Sequence, residues 1–458
     1  MIERWRRFLA FWNEQGTAAV MRLIRAKAGA AIEGRPIFNS VALGNPAIDS
    51  HAMDIAVLNT GDQPMAADKV VRARFLTTQS LETYLIPKTS IPRVSLVTDS
   101  IGRGSLFGGV GTALLLAAQL ANRLNATLRI VTRTEVPSAS NAAQILDAYG
   151  IQLKHEIQLV FAPLVVDGSR PENAGAPGLD IHPDETFITT SWWTTAATLA
   201  SVPPASIIYL LQEDERMFYP FGDDRVQCER ILSNQDIRFV VNTRLLYDHL
   251  VANGLDHLKR NGDWFEPAFP KSLFHERPRD PGGKKRFFFY ARPKNLRNLF
   301  FNGIEIIDRA INEGIFDLEQ WEILLVGKDI PNVTFGNGYV PVRCEGLDWE
   351  AYADLVGTVD LGLCLMYTPH PSYPPLDLAA SGAVVVTNKF ANKQDLSNYS
   401  RNIICAELNA EASLDALRAG VALAEDKKMR ARNFAANELI VDWTQSFEPI
   451  LKSLATAR

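Results

Sequence analysis

The feature that most restricts the fold of this chain is an alternation of short apolar segments with longer segments of helical periodicity, run through twice. The first series starts at Arg93. It predicts strands over 94–98, 127–132, 158–162, 186–190, 206–211 and 237–241, with helices over 112–123, 139–149, 193–200, 224–233 and 244–252. The second predicts strands over 286–290, 322–326, 361–366, 383–387 and 402–405, with helices over 299–311, 349–356 and 375–380. Apolar runs this short, bounded by turn residues, are strands buried on both faces, and their alternation with helices makes neighbouring strands parallel. The expected fold class is therefore α/β, two doubly wound Rossmann-like domains facing each other across a cleft. The Pro-, Gly- and charge-rich stretch 275–285 separates the two series and marks a hinge. The expected division is an N-terminal extension over 1–92, a first domain over 93–275, a second over 276–430 and a C-terminal segment over 431–458. That last segment is helical, with Trp443 and Phe447 on one apolar face, and is expected to pack back on the first domain.

Composition narrows the function. The 458 residues are 47% hydrophobic and 22% charged, with a formal net charge of -5, which suits large apolar cores and excludes a nucleic-acid binder working through bulk charge. Cys228, Cys344, Cys364 and Cys405 are scattered without ligand spacing, the pattern of reduced core thiols in a cytoplasmic protein. No metal site is expected. Trp5, Phe8 and Trp12 recur at helical spacing among Arg4, Arg6 and Arg7, an amphipathic helix that caps a domain or lies peripherally on the inner face of a membrane. Residues 34–92 carry a weak pattern and are read as packing on the first domain.

Four stretches carry chemistry. In KKRFFFYARPKNLRN (284–298) an aromatic strand ends in a turn bearing Arg292, Lys294 and Arg297, just before a helix. Such a junction is either a solvated basic turn or a site for phosphate oxygens, because guanidinium forks and the helix N-terminus converge there. The loop GRGSLFGGVGTA (102–113) resembles a dinucleotide fingerprint but has Leu114 where a third glycine belongs. Gly108 and Gly109 either make a tight turn or bring backbone amides to an oxygen-rich ligand. Gln212-Glu213-Asp214-Glu215 follows a buried strand, so Glu213 and Asp214 either cap a helix or serve as base and as contacts for sugar hydroxyls. The fourth stretch, HPSYPPLDLAASGAVVVTN (370–388), feeds a proline-rich loop into a short helix carrying one acid, Asp377, followed by a small-residue turn and a β-branched strand.

This last block is similar to the donor-site block of GT-B glycosyltransferases of family 4. Tyr290-Ala-Arg292, Arg297-Asn298, Gly327-Lys328, Glu345-Gly346-Leu347 and Pro375-Leu376-Asp377 match its order and spacing over roughly the last third of the chain. The wording YARP…RNLF, QEDE…FYP and HPSYPPLD resembles bacterial rhamnosyltransferases of the WsaF type more closely. The resemblance implies a GT-B enzyme that transfers L-rhamnose from dTDP-L-rhamnose to a hydroxyl of a growing cell-surface glycan or lipid-linked oligosaccharide, retaining and metal-independent, without a cofactor. It implies that Arg292 and Arg297 hold the donor diphosphate and Asp377 the ribose. Gly327, Lys328, Ser372 and Tyr373 then border the donor, Gly346 the base, and Gly108-Gly109 face it from the other domain. One departure is plain: the family's first glutamate is Pro369 here, and the second is Asp377. Sugar contacts then fall to His370, Ser372 or backbone amides. Two alternatives remain from the residues alone, an NAD-dependent oxidoreductase and a non-catalytic nucleotide-sugar or glycan-binding protein.

Overall fold

The computed structural model describes residues 64–102, 108–165, 178–278 and 282–456, all within one compact unit of the chain, 45–458. The amphipathic segment over 1–31 and loop residues 103–107 lie outside the described residues.

In chain order the first half holds strands β1 Thr83–Leu85, β2 Arg93–Thr98, β3 Thr127–Thr132, β4 Gln158–Phe161, β5 Leu179–Ile181, β6 Thr186–Thr189, β7 Ile207–Leu211, β8 Arg238–Asn242 and β9 Gly262–Phe265. Its helices are α1 Ala67–Arg74, α2 Gly109–Arg123, α3 Ala139–Ala148, α4 Trp192–Leu199, α5 Asp223–Leu232, α6 Arg244–Ala252 and α7 Leu258–Asn261. The second half holds β10 Lys285–Ala291, β11 Trp321–Gly327, β12 Val342–Glu345, β13 Leu361–Cys364, β14 Val384–Asn388 and β15 Ile403–Ala406. Its helices are α8 Phe300–Asn312, α9 Trp349–Val356, α10 Tyr373–Ala380, α11 Ala410–Glu425 and α12 Lys427–Ala435, followed by α13 Trp443–Thr456.

Seven strands, in the order β4-β3-β2-β6-β7-β8-β9, form one parallel sheet, and six, in the order β12-β11-β10-β13-β14-β15, form the other. Successive side chains of a strand point to opposite faces, so strands covered on both faces are largely apolar, although β2 and β3 also bury Arg93, Ser95 and Arg129. In β7, Ile208 and Leu210 enter the core shared with α2, while Ile207, Tyr209 and Leu211 enter the core on the opposite face. In β10, Phe287 and Phe289 point to one face and Phe288 to the other. The close fit around β10 requires Gly303 on α8, where a Cβ would stand 2.1 Å from Phe289 Cζ.

Trp443, Phe447 and Ile450 of α13 pack into the core of the first sheet beside α2, and Arg123 pairs with Glu448 at 3.2 Å. The crossing comes later than residue 431, because α12 is tied to the second half by Arg430, whose Nη1 pairs with Asp360 at 2.8 Å. Phe269, ahead of the hinge, is already buried in the second half's core.

Strands β9 and β12, the β1–β5 pair and helix α11 escape the alternating pattern, being short, at sheet edges or, for α11, rich in alanine. The strand predicted over 361–366 ends at Cys364, since the Met366 amide donates to Asn388 Oδ1 at 2.6 Å instead of to a neighbouring strand. Helix α10 starts two residues before the predicted 375, because Pro374 and Pro375 occupy a first turn whose amides need no partner. All four cysteines are free. No helix of the described residues is long and apolar enough to cross a membrane.

Candidate active site

The strand ends that carry the predicted residues meet between the two halves. From the second half come the turns after β10 and β13 and the start of α10. From the first half come the N-terminus of α2 and the ends of β7 and β8. Between them lies an open cleft, about 670 Å³ with the solvent at its mouth counted in, lined mainly by apolar and aromatic side chains, with Gly108 and Thr112 on one side and Trp349, Tyr352, Tyr373 and Asp377 on the other.

The halves are joined by a chain of hydrogen bonds. Asn242 Nδ2 donates to the Tyr373 hydroxyl at 2.9 Å. That hydroxyl lies 2.7 Å from Thr112 Oγ1, which itself donates to the Gly108 carbonyl at 2.9 Å. Beside it Gln212 Nε2 donates to the Gly109 carbonyl at 2.8 Å. Gly108 takes a left-handed φ of 63°, and a Cβ there would touch the Tyr373 ring at 3.7 Å. Glycine thus lets the loop turn into α2 next to a side chain of the other half.

A second junction is ionic. Arg297, in the short 3-10 turn Leu296–Asn298, places Nη1 3.0 Å from Glu213 Oε1 as an ion pair rather than an aligned hydrogen bond. Its guanidinium lies 4.1 Å from the centroid of the Phe218 ring, and Thr368 donates to the other Glu213 oxygen. The structure therefore brings Glu213 and Arg297, assigned separately to acceptor and donor, onto each other. Arg292 is held only loosely, its Nη1 3.2 Å from the Tyr290 hydroxyl. Lys294 pairs with Asp329 at 3.3 Å.

His370 is 2% exposed. Its Nδ1 accepts from the Ser372 amide at 2.9 Å, which leaves the proton on Nε2, an atom with no hydrogen-bond partner among the described residues. Burial pulls the imidazole down to about 4, so at neutral pH it is an uncharged donor. Ser372 holds φ at 70° and ψ at 153°, a strained setting for a side-chain-bearing residue and of the kind that collects at functional sites. Asp377 accepts from the Tyr352 hydroxyl at 3.1 Å. Burial pushes its carboxyl up to about 8, the Tyr352 bond opposing only in part, so at neutral pH it is largely protonated.

Two predicted residues have local duties, and two others lie outside the cavity. Asp214 caps the 3-10 turn Glu215–Phe218 and takes two bonds from Arg216, from Nε and Nη2, each at 2.8 Å. Burial works against its charge, but Arg216 and then His249 more than offset this and hold it at about 2. It is a fixed anion turned into the first half, and not a base. Gly327 ends β11 where a Cβ would stand 1.8 Å from the Ala291 carbonyl oxygen, so strand packing accounts for it. Lys328 is exposed beside it, and Gly346 is exposed after β12 with a left-handed φ of 69°. Neither lines the cavity.

Sequence reasoning missed Thr112 and Asn242, which only tertiary pairing brings to Tyr373, the bond of Gln212 to the Gly109 carbonyl, and also Lys393. Lys393 follows β14 in the polar run NKFANKQD, yet it is 0% exposed. Its ammonium donates to the Met366 carbonyl at 3.1 Å.

Two parallel sheets closed over such a cleft also occur in solved structures that this chain resembles at low identity. Sucrose-phosphate synthase from Thermosynechococcus elongatus superposes with a TM-score of 0.51 at 14% identity, over 80% of this chain and 100% of that one. Anabaena HepE in complex with UDP and glucose gives 0.52 at 12%, over 79% and 99%. The α,α-trehalose-phosphate synthase (UDP-forming) from Burkholderia vietnamiensis gives 0.53 at 12%, over 81% and 99%. The fold is GT-B. Residues 93–244 match the WsaF N-terminal domain and residues 285–418 the WsaF C-terminal domain, together more than half of the chain. The chain belongs to the WsaF family. It is also 30% identical over 266 residues to the O-antigen biosynthesis protein RfbC of Myxococcus xanthus, a match covering 57% of this chain and 20% of that protein. The chain thus spans about a fifth of the length of that curated relative.

Proposed function

We propose that this protein is a glycosyltransferase of polysaccharide assembly, moving a sugar from a nucleotide donor to a glycan hydroxyl, with dTDP-L-rhamnose as the donor. The observation that carries the reading is the meeting of Arg297 and Tyr373 of one half with Glu213 and the Gly108–Thr112 turn of the other, beside a cavity that Gly108, Tyr373 and Asp377 line. Membership of the WsaF family and likeness to an O-antigen biosynthesis protein support polysaccharide as the product class. The rhamnose assignment rests on the WsaF resemblance.

In this reading the diphosphate leaves with its charge met by Arg292 and Arg297, which act most strongly where negative charge grows in the transition state. Asp377 and Tyr352 face the ribose. The free Nε2–H of His370 donates to a sugar hydroxyl or phosphate oxygen, in place of the contact that a glutamate at position 369 would make. Glu213 stands on the acceptor side of the bond being made, and displacement of diphosphate by the acceptor oxygen is assigned retention of configuration. We place the enzyme in the cytoplasm, with a lipid-linked oligosaccharide as acceptor and a peripheral membrane contact through residues 1–31.

A thermal-shift screen with dTDP, UDP, GDP and NADH, followed by a transfer assay with dTDP-L-rhamnose, tests this. Stabilisation by dTDP and release of dTDP on adding acceptor are expected. A shift with NADH alone would overturn the reading, while a shift with UDP or GDP alone would overturn only the donor.

A further inference from the structure

The acid on α10 offers a ligand one oxygen. Tyr352 of α9 donates to Asp377 Oδ2 at 3.1 Å. Among the described residues Oδ1 takes no hydrogen bond from the protein, and no cation lies within ion-pair distance of the carboxyl. Both side chains line the cleft. Their setting leaves little play. Leu376 and Leu378, on either side of Asp377, are 0% exposed, so α10 cannot turn to present its acid differently. On α9, Tyr352 closes the first turn, its amide donating to the Asp348 carbonyl at 2.9 Å, while Asp348 Oδ1 accepts from the Ala351 amide at 2.9 Å.

The rest of the wall supplies few polar partners. The Tyr373 hydroxyl is engaged by Asn242 and Thr112, and the Thr112 hydroxyl by the Gly108 carbonyl. Trp349 and Trp443 line the cleft, but their indole nitrogens are buried. Among the described residues of the lining, the Tyr149 hydroxyl on the opposite half is what remains. Beside these stand the apolar side chains of Phe269, Leu273 and Phe274. A carboxyl with one oxygen engaged serves one sugar hydroxyl, and a second, adjacent hydroxyl is left facing apolar surface. Burial, which pushes this carboxyl up to about 8, sharpens the count. With Tyr352 donating to Oδ2, the acid's own proton lies on Oδ1, a single O–H donor.

We propose that the Tyr352–Asp377 pair makes the nucleotide site selective for 2′-deoxyribose, with Tyr352 a positioning residue that acts through Asp377. This rests on the glycosyltransferase reading above and names the nucleotide class of the donor from the geometry of the site. A 2′-deoxyribose in a nucleotide carries one ring hydroxyl, at C3′, and Asp377 Oδ1 is its partner. Ribose adds a neighbouring hydroxyl at C2′. The oxygen that would serve it, Oδ2, is held by Tyr352, so the added hydroxyl gives up water for apolar surface and goes unpaired. An apolar pocket rejects a ligand that merely adds a hydroxyl by up to about 10²-fold, which bounds the preference.

Calorimetric titration of the full chain with base-matched pairs, dUDP against UDP and dTDP against ribothymidine diphosphate, tests the proposal in wild type, Y352F and Y149F. Wild type should bind each deoxyribonucleotide about tenfold or more tightly than its ribose counterpart. Y352F should bring the ratio toward one, mainly by gaining affinity for the ribose form, because Oδ2 becomes free for the second hydroxyl. A tyrosine that merely packs α9 against α10 would weaken both members of a pair alike and leave their ratio unmoved. Y149F should keep the wild-type ratio. Equal binding of the two sugars by wild type, or tighter binding of the ribose form, overturns the proposal whether or not Y352F folds. A ratio unchanged in Y352F, or lost in Y149F, overturns the role given to Tyr352. A wild-type chain that binds none of the four nucleotides overturns the glycosyltransferase reading instead.

Discussion

Replacing Tyr373 with Phe removes one oxygen from the hydrogen-bond chain that joins the two halves. Asn242 donates into that oxygen, so the tyrosine proton is free to go to Thr112, and the Thr112 proton goes on to the Gly108 carbonyl. The variant loses two bonds, each worth about 1 kcal/mol net. It also strands the Asn242 amide, which is 0% exposed and keeps only Gln212 Oε1 at 3.4 Å, and a buried donor without a good acceptor costs about 1–3 kcal/mol. Part of these costs is one and the same, so the expected loss is about 2–3 kcal/mol. Thr112→Val should cost about 2 kcal/mol, since the threonine loses one bond to each side. In the double variant the two losses should fall short of additive by about 1 kcal/mol, the signature of a shared bond. Urea denaturation followed by tryptophan fluorescence reads all four proteins. Additive losses, or a Y373F midpoint equal to wild type, would refute the claim that this hydroxyl links the halves.

Other consequences can be checked alongside. Arg297→Ala should lower transfer by about 10²–10³-fold with the far-ultraviolet circular dichroism unchanged; wild-type turnover would remove Arg297 from the donor site. Asp377 has a folded pKa raised to about 8 from an ordinary 3.8, so its contribution to stability is full below pH 4 and is lost as pH rises toward 8, on the order of 1 kcal/mol per unit. Asp377→Asn should flatten that part of the pH–stability curve in thermal denaturation, and an unchanged curve would contradict the burial argument. Gly303→Ala drives a methyl group into Phe289 and should cost about 1–3 kcal/mol by urea denaturation. Asp214→Asn should cost about 3–5 kcal/mol by leaving buried Arg216 without its carboxylate, while the folded fraction keeps wild-type nucleotide affinity by titration.

The doubly wound halves were legible because the central strands are short, largely apolar runs, as Phe287, Phe288 and Phe289 show within three consecutive residues. The site was legible only where one local segment carries it, as in Tyr373 to Asp377. Elsewhere the information is tertiary. Glu213 and Asp214 are adjacent and chemically alike, yet one turns to Arg297 across the cleft and the other to Arg216 in its own turn. Neither choice has a signal in spacing, because the partner of a carboxylate is set by which cation the fold delivers. Lys393 makes the same point in reverse. Its polar neighbours read as a solvated turn, but that turn returns over the end of β13, where the Lys393 ammonium joins Asn388 Nδ2 and the Thr368 amide on the Met366 carbonyl.

That geometry bears on how the site can close. The hydrogen-bond chain through Tyr373 and the ion pair of Arg297 with Glu213 both cross between the halves, but they differ in kind. The first is a run of neutral bonds around fully buried Asn242, and its loss leaves stranded donors. The second is partly exposed, 22% and 18% for the two side chains, so water and a diphosphate can compete for it. A donor entering the cleft should therefore break the ionic junction and keep the neutral one, with Tyr373 holding α10 against the first half while Arg297 changes partner. Site and hinge are then coupled through one short helix, which has Tyr373 at its start and Asp377 one turn further on.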